Sequence, residues 1–221
     1  MILREAHMKI PDKLLSDIDF FFDPPTRDRV KHRTEGQESV LYHLRRELQF
    51  CLFLCDSIVD EPELEKKLKY QAPSTRFAPI LVVMSGIDLL GKFLAGQDCG
   101  GKEVQKRFED YLKHFTGLTE NDRDVIWRVR NSYVHSFGLR DIKKNHKKIG
   151  VWPGRFVGEI ITAHADEPFD FAVNVADLCV EFLKSIKSYK DALQGDRNLQ
   201  ENFAKMFPKY GYFAINGTSD S

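Results

Sequence analysis

The run Phe77 to Leu94 is the longest apolar stretch of the sequence, and a helix of that kind needs either a membrane or other helices around it. Ser85, Asp88 and Lys92 interrupt the run, Gly86 and Gly91 weaken it, and polar segments flank it on both sides. These interruptions argue against a membrane span and predict a buried helix of a soluble bundle, over about residues 76–95.

Amphipathic segments surround that helix. Leu41, Leu44, Leu48, Cys51, Leu52 and Cys55 recur at helical spacing and predict a helix over about 37–60. Val104, Phe108, Leu112 and Phe115 predict another over about 102–116. The next begins near Thr119, with Asp122 three positions on in a capping-box-like arrangement. Its buried side is Val125, Ile126, Val129 and Tyr133, and Gly138 ends it. Val173, Ala176, Val180, Leu183 and Ile186 predict a long helix over about 169–194. Between these last two helices the pattern changes. Ile149 to Gly154 and Phe156 to Thr162 are short and β-branched around Pro153-Gly154, which reads as a β-hairpin inserted at about 139–165. Residues 1–36 read as an N-terminal extension, with Ile18 to Phe22 apolar and Pro24-Pro25 breaking any helix. Residues 196–221 read as a C-terminal extension with one short helix near Leu199 to Met206. The expected fold class is mainly α: a helical domain over 37–195 carrying a small inserted hairpin.

The 221 residues are 42% hydrophobic and 30% charged, enough for a sizeable core in a soluble chain. Lys+Arg and Asp+Glu balance at 33 each, so no global basic signature for nucleic acid exists. Cys51, Cys55, Cys99 and Cys179 form no Cys-x-x-Cys pair, and Cys51 and Cys55, one helical turn apart in an apolar pattern, read as reduced core thiols. The opening Met-Ile-Leu-Arg-Glu-Ala-His lacks an apolar signal core, which makes the cytoplasm the expected compartment, with no membrane partner.

The chemistry concentrates in residues 128–139, Arg-Val-Arg-Asn-Ser-Tyr-Val-His-Ser-Phe-Gly-Leu. Asn131 and His135 are one helical turn apart and share a face. Arg130 is one step round, with a side chain long enough to bend toward them. A guanidinium can grip a phosphodiester through two hydrogen bonds, and an imidazole moves a proton near neutral pH. Arg27 and His32 have the same spacing as Arg130 and His135, but they follow Pro24-Pro25 in a charged stretch without periodicity. Only the later pair has an amide beside the arginine and closes a capped amphipathic helix.

The block Arg130 to His135 resembles the Arg-x4-His signature of the HEPN superfamily, in its Arg-Asn-x-x-x-His form. The resemblance implies an antiparallel helical bundle. It also implies a metal-independent endoribonuclease of a toxin–antitoxin, antiviral or stress-response system, needing no cofactor and working as a homodimer whose two motif helices face each other. His135 would be the base that activates a ribose 2′-hydroxyl, Arg130 would hold the scissile phosphate, and Asn131 would orient the histidine or the phosphate. Some members have lost catalysis, so a HEPN-fold module that binds a nucleotide or a protein is the alternative. A third possibility is an unrelated helical interaction protein whose spacing is accidental. RNA and an antitoxin or regulatory protein are the partners the resemblance implies.

Other residues weigh on this reading. From Arg123 to Arg155 there are nine basic residues and two acids, a local excess of seven positive charges in a neutral chain. Arg128, Arg140, Lys143 and Lys144 are therefore candidates to track an RNA backbone, against the plainer reading of lysines on a solvated hairpin. Trp127, Tyr133 and Trp152 are candidates for base stacking, although their spacing suits a core. Asp88 reads either as a partner for an arginine, Arg130 in particular, or as a residue on a polar seam. Gly96-Gln-Asp-Cys-Gly-Gly-Lys102 matches most of a phosphate-binding loop, but Glu103 stands where that motif needs a hydroxyl for magnesium. A helix–turn–helix connection explains its glycines. No metal site is expected, since His164-Ala-Asp166 lacks enough ligands.

Overall fold

A computed structural model of the chain describes residues 10–23, 37–53, 77–136, 149–152, 158–163 and 170–214. In chain order the elements are α1 (Asp12–Phe22), β1 (Gln37–Ser39), α2 (Val40–Phe53), α3 (Phe77–Ala95), α4 (Lys102–Phe115), α5 (Glu120–Ser136), β2 (Ile149–Trp152), β3 (Ile161–Ala163), β4 (Phe171–Asn174), α6 (Val175–Leu193), α7 (Arg197–Tyr210) and β5 (Tyr212–Ala214). The protein is mainly α with a few short strands.

The apolar helix α3 is the hub. It packs against α2, α4, α5, α6 and α7, and buries Ile80, Val83, Met84, Ile87, Leu90 and Phe93. Burial by other helices is what an apolar surface of this length requires in water. The glycines that interrupt the run allow close approach. A Cβ on Gly86 would run into the Phe182 ring of α6, and one on Gly91 would lie 2.8 Å from the Arg107 backbone oxygen of α4. The missing side chain of Gly86 makes room for the Phe182 ring of α6, and that of Gly91 lets the α4 backbone approach α3.

The segments read as extensions share this core. Ile18, Phe20, Phe21 and Phe22 of α1 are buried, as are Phe203, Met206 and Phe207 of α7. Phe21 lies 4.7 Å from Phe93 and edge-on to Phe203 at 5.5 Å, so α1, α3 and α7 meet in one aromatic cluster. Strands β1 and β5 pair antiparallel, Gln37 opposite Ala214 and Ser39 opposite Tyr212. The helix predicted from residue 37 therefore begins at Val40, after a short strand.

The inserted strands are present, but not as a hairpin. The sheet order is β2-β4-β3, with β4 parallel to β2 and antiparallel to β3. The strand between them, Phe171–Asn174, lies within the span predicted as helix over 169–194, and the helix itself starts at Val175. Its Phe-Ala-Val-Asn run has three consecutive buried residues and no glycine or proline to separate it from the helix, so hydrophobic spacing alone extends the helix backward. Asn174 marks the junction. Its backbone is extended, and its side-chain amide donates to the Glu159 carbonyl at 2.5 Å and to Thr162 Oγ1 at 3.1 Å.

Candidate functional site

Helix α5 forms as its sequence directs. Thr119 Oγ1 accepts from the Asp122 N–H at 3.2 Å, while the Asp122 carboxylate accepts from the Thr119 N–H at 3.0 Å. This reciprocal cap satisfies backbone groups that the first turn leaves open. Val125, Ile126, Val129 and Tyr133 are all buried, so the stripe points into the bundle. The helix runs to Ser136, which places positions 131 and 135 one turn apart on it.

That rotation carries Arg130 to the seam between α5 and α3, where it meets Asp88. Arg130 Nε and Nη2 both donate to Asp88 Oδ2, at 3.1 and 2.7 Å. Arg130 Nη1 donates to Asn131 Oδ1 at 3.1 Å. The guanidinium carbon lies 5.1 Å from the centre of the Trp127 ring, one turn earlier on the same helix. Trp127 in turn packs on Phe108 of α4, at 5.4 Å between centroids. Arg130 is thus fixed by a carboxylate, an amide and an indole, and its side chain is only 12% exposed.

The chemistry of the donors sets the amide. Arginine has no acceptor, so the oxygen of Asn131 must face it and the Asn131 NH2 group points elsewhere, as a donor. Asp88 Oδ1 is buried with no hydrogen-bond partner. Polar contacts therefore hold only one side of the carboxylate.

Several sequence candidates take other positions. Arg128 pairs with Asp124 at 2.8 Å on the outer side of α5, one turn away along the helix. Tyr133 is 1% exposed and belongs to the core, which removes it as a stacking surface. One face of Trp127 is covered by Arg130, so its sequence reading as a base platform gives way to support of the arginine. Its spacing of three residues from Arg130 is the signal that could have shown this. Arg140, Lys143, Lys144 and the side chains of His135 and Trp152 lie outside the described residues.

The glycine-rich segment Gly96 to Gly101 connects α3 to α4. Gly96 and Gly101 have φ of 63° and 66°, a conformation that favours glycine. Asp98 in this turn accepts from Tyr210 of α7 and lies 3.2 Å from Lys92 and 3.4 Å from Arg107. The turn is a junction of three helices. Among the described residues no group of three or more His, Cys, Asp or Glu side chains is arranged to hold a metal ion, and Cys51, Cys99 and Cys179 form no disulfide with one another. Comparison with protein-family models, with curated proteins and with solved structures finds no match for this chain.

Proposed function

We propose that this protein is a metal-independent endoribonuclease of the HEPN type, a homodimer that acts in the cytoplasm as a toxin or as an antiviral or stress-response effector. The observation that carries the reading is the orientation of Arg130 and Asn131 on a capped helix that continues past position 135. A fixed guanidinium, an amide presenting donors and a histidine one turn on are groups that RNA cleavage can use.

In this reading the ribose 2′-oxygen attacks the adjacent phosphorus while its proton passes to the His135 imidazole. The O2′–P bond forms and the P–O5′ bond breaks. The 5′-oxygen takes a proton from solvent water, leaving a 2′,3′-cyclic phosphate and a 5′-hydroxyl, and His135 returns its proton to solvent. Arg130 and Asn131 meet the charge that builds on the non-bridging oxygens. Arg128, with Arg140, Lys143 and Lys144 farther along the chain, follows the RNA backbone. An antitoxin or regulatory protein is the partner expected to restrain such an activity.

The second reading, a HEPN-fold module that binds without cleaving, is favoured by one observation: Asp88 already matches the charge of Arg130. A direct assay separates them. The full chain is incubated with structured and single-stranded RNA in excess chelator, beside Arg130→Ala and His135→Ala. Cleavage by the wild type that falls at least about 100-fold in each variant is the expected result. No cleavage, or cleavage unchanged in both variants, overturns the nuclease reading, and retained RNA binding without cleavage selects the module.

A further inference from the structure

We propose that Asp88 is the positioning residue of this site, holding Arg130 and Asn131 as a charge-balanced, donor-only anchor for a phosphodiester. The proposal rests on the nuclease reading and adds a residue from a different helix to it.

Asp88 stands inside α3 between Ile87 and Leu89, both buried, where a carboxylate is disfavoured unless it has a partner. Its contact with Arg130 is not the two-oxygen fork that makes such pairs strongest. One oxygen, Oδ2, takes both Nε and Nη2, and Oδ1 takes nothing. A pair serving stability alone gains by engaging both oxygens. This one instead fixes the side edge of the guanidinium and leaves one hydrogen on each terminal nitrogen without a partner.

Counting hydrogens shows what the anchor offers. A guanidinium has five N–H donors. Nε–H and one hydrogen of Nη2 go to Asp88, and one hydrogen of Nη1 goes to Asn131. One hydrogen remains on each terminal nitrogen, beside the two on the Asn131 amide. Every remaining polar hydrogen of the pair is a donor. Such an edge suits an anion with several acceptor oxygens, and it suits neither a cation nor a ligand that donates.

Charge decides how that anion is bound. Asp88 balances Arg130, and Asp124 balances Arg128, so these two arginines add little net positive charge. Phosphate is selected here by hydrogen-bond geometry rather than by long-range attraction. Replacing Asp88 with its uncharged isostere should therefore move binding and catalysis in opposite directions.

The test uses the full chain with Asp88→Asn, Arg130→Ala and the double variant, and thermal melts confirm that each folds. Binding is measured with a 2′-O-methyl RNA, which cannot be cleaved, at several salt concentrations. Asp88→Asn should bind this RNA at least as tightly as wild type, with a salt dependence steeper by up to about 0.7 in the log–log slope, the contribution of one further neutralised phosphate. Its kcat on cleavable RNA should fall about tenfold or more without a rise in KM. In the Arg130→Ala background, Asp88→Asn should change cleavage no further, because it acts through the arginine. Asn131→Asp, which exchanges the free donors for a carboxylate, should abolish binding of the 2′-O-methyl RNA. An unchanged kcat in Asp88→Asn, additive losses in the double variant, or wild-type binding by Asn131→Asp would overturn the proposal. A chain that cleaves no RNA removes the nuclease reading, while the binding and salt measurements still decide the role of Asp88.

Discussion

Asp23 shows how much a single surface residue can report about the fold. It closes α1, accepts a hydrogen bond from Lys190 of α6 at 2.7 Å, and lies 3.5 Å from Arg45 of α2. Partial burial works against its charged form, but the hydrogen bond and charge of Lys190, and then Arg45, outweigh it and hold the carboxyl below its ordinary value of 3.8. A depressed carboxyl pKa contributes stability above the ordinary value and loses it as pH falls through the lowered one. The Asp23 side chain is 62% exposed, so the effect is small. Asp23→Asn should lower Tm slightly at pH 7 and narrow the fall in Tm between about pH 7 and pH 3. Equal falls in both proteins would show that the clamp on α1 is not felt.

Helices α3 and α4 give a prediction with a definite sign. Alanine favours a helix over glycine by about 1 kcal/mol, so Gly91→Ala on an open surface would stabilise α3. Here the new Cβ would meet the Arg107 carbonyl at 2.8 Å, a backbone atom with no rotamer to change. Gly91→Ala should therefore lower the midpoint of denaturant unfolding, and a raised midpoint would contradict the close crossing. The same element scale shows what sequence can carry. The α5 cap and stripe were legible because each is local, with Thr119 three residues from Asp122 and the apolar positions at helical spacing. The order β2-β4-β3 was not, because pairing across the insertion leaves no periodic trace and Val173 fits a helical stripe as well as a strand. The Asp88–Arg130 contact was one of two readings of a lone acid in an apolar run, because spacing across 42 residues does not choose between an arginine partner and a polar seam. The orientation of the Asn131 amide depends on that contact and was not legible at all.

At the scale of the whole molecule, one core runs from Ile18 to Phe207. Phe203 touches Phe21, Phe22, Phe93 and Phe207, so it joins the first and last described helices through the central one. Phe203→Ala should cost about 3–5 kcal/mol in chemical denaturation, and the loss should appear in a single transition. A cost under about 1 kcal/mol would mean that the terminal helices dock on an already stable bundle. This core holds α3 against α5, and with them Asp88 against Arg130. The function proposed for the resulting site is cleavage of RNA through the neighbouring 2′-hydroxyl. The most direct measurement takes one RNA that the wild type cuts in excess chelator and replaces the ribose 5′ to the cut with its 2′-deoxy form. The expected result is a 2′,3′-cyclic phosphate and a 5′-hydroxyl from the all-ribose strand, and no cut at the deoxy position. Cleavage that persists at the deoxy position would contradict the claim.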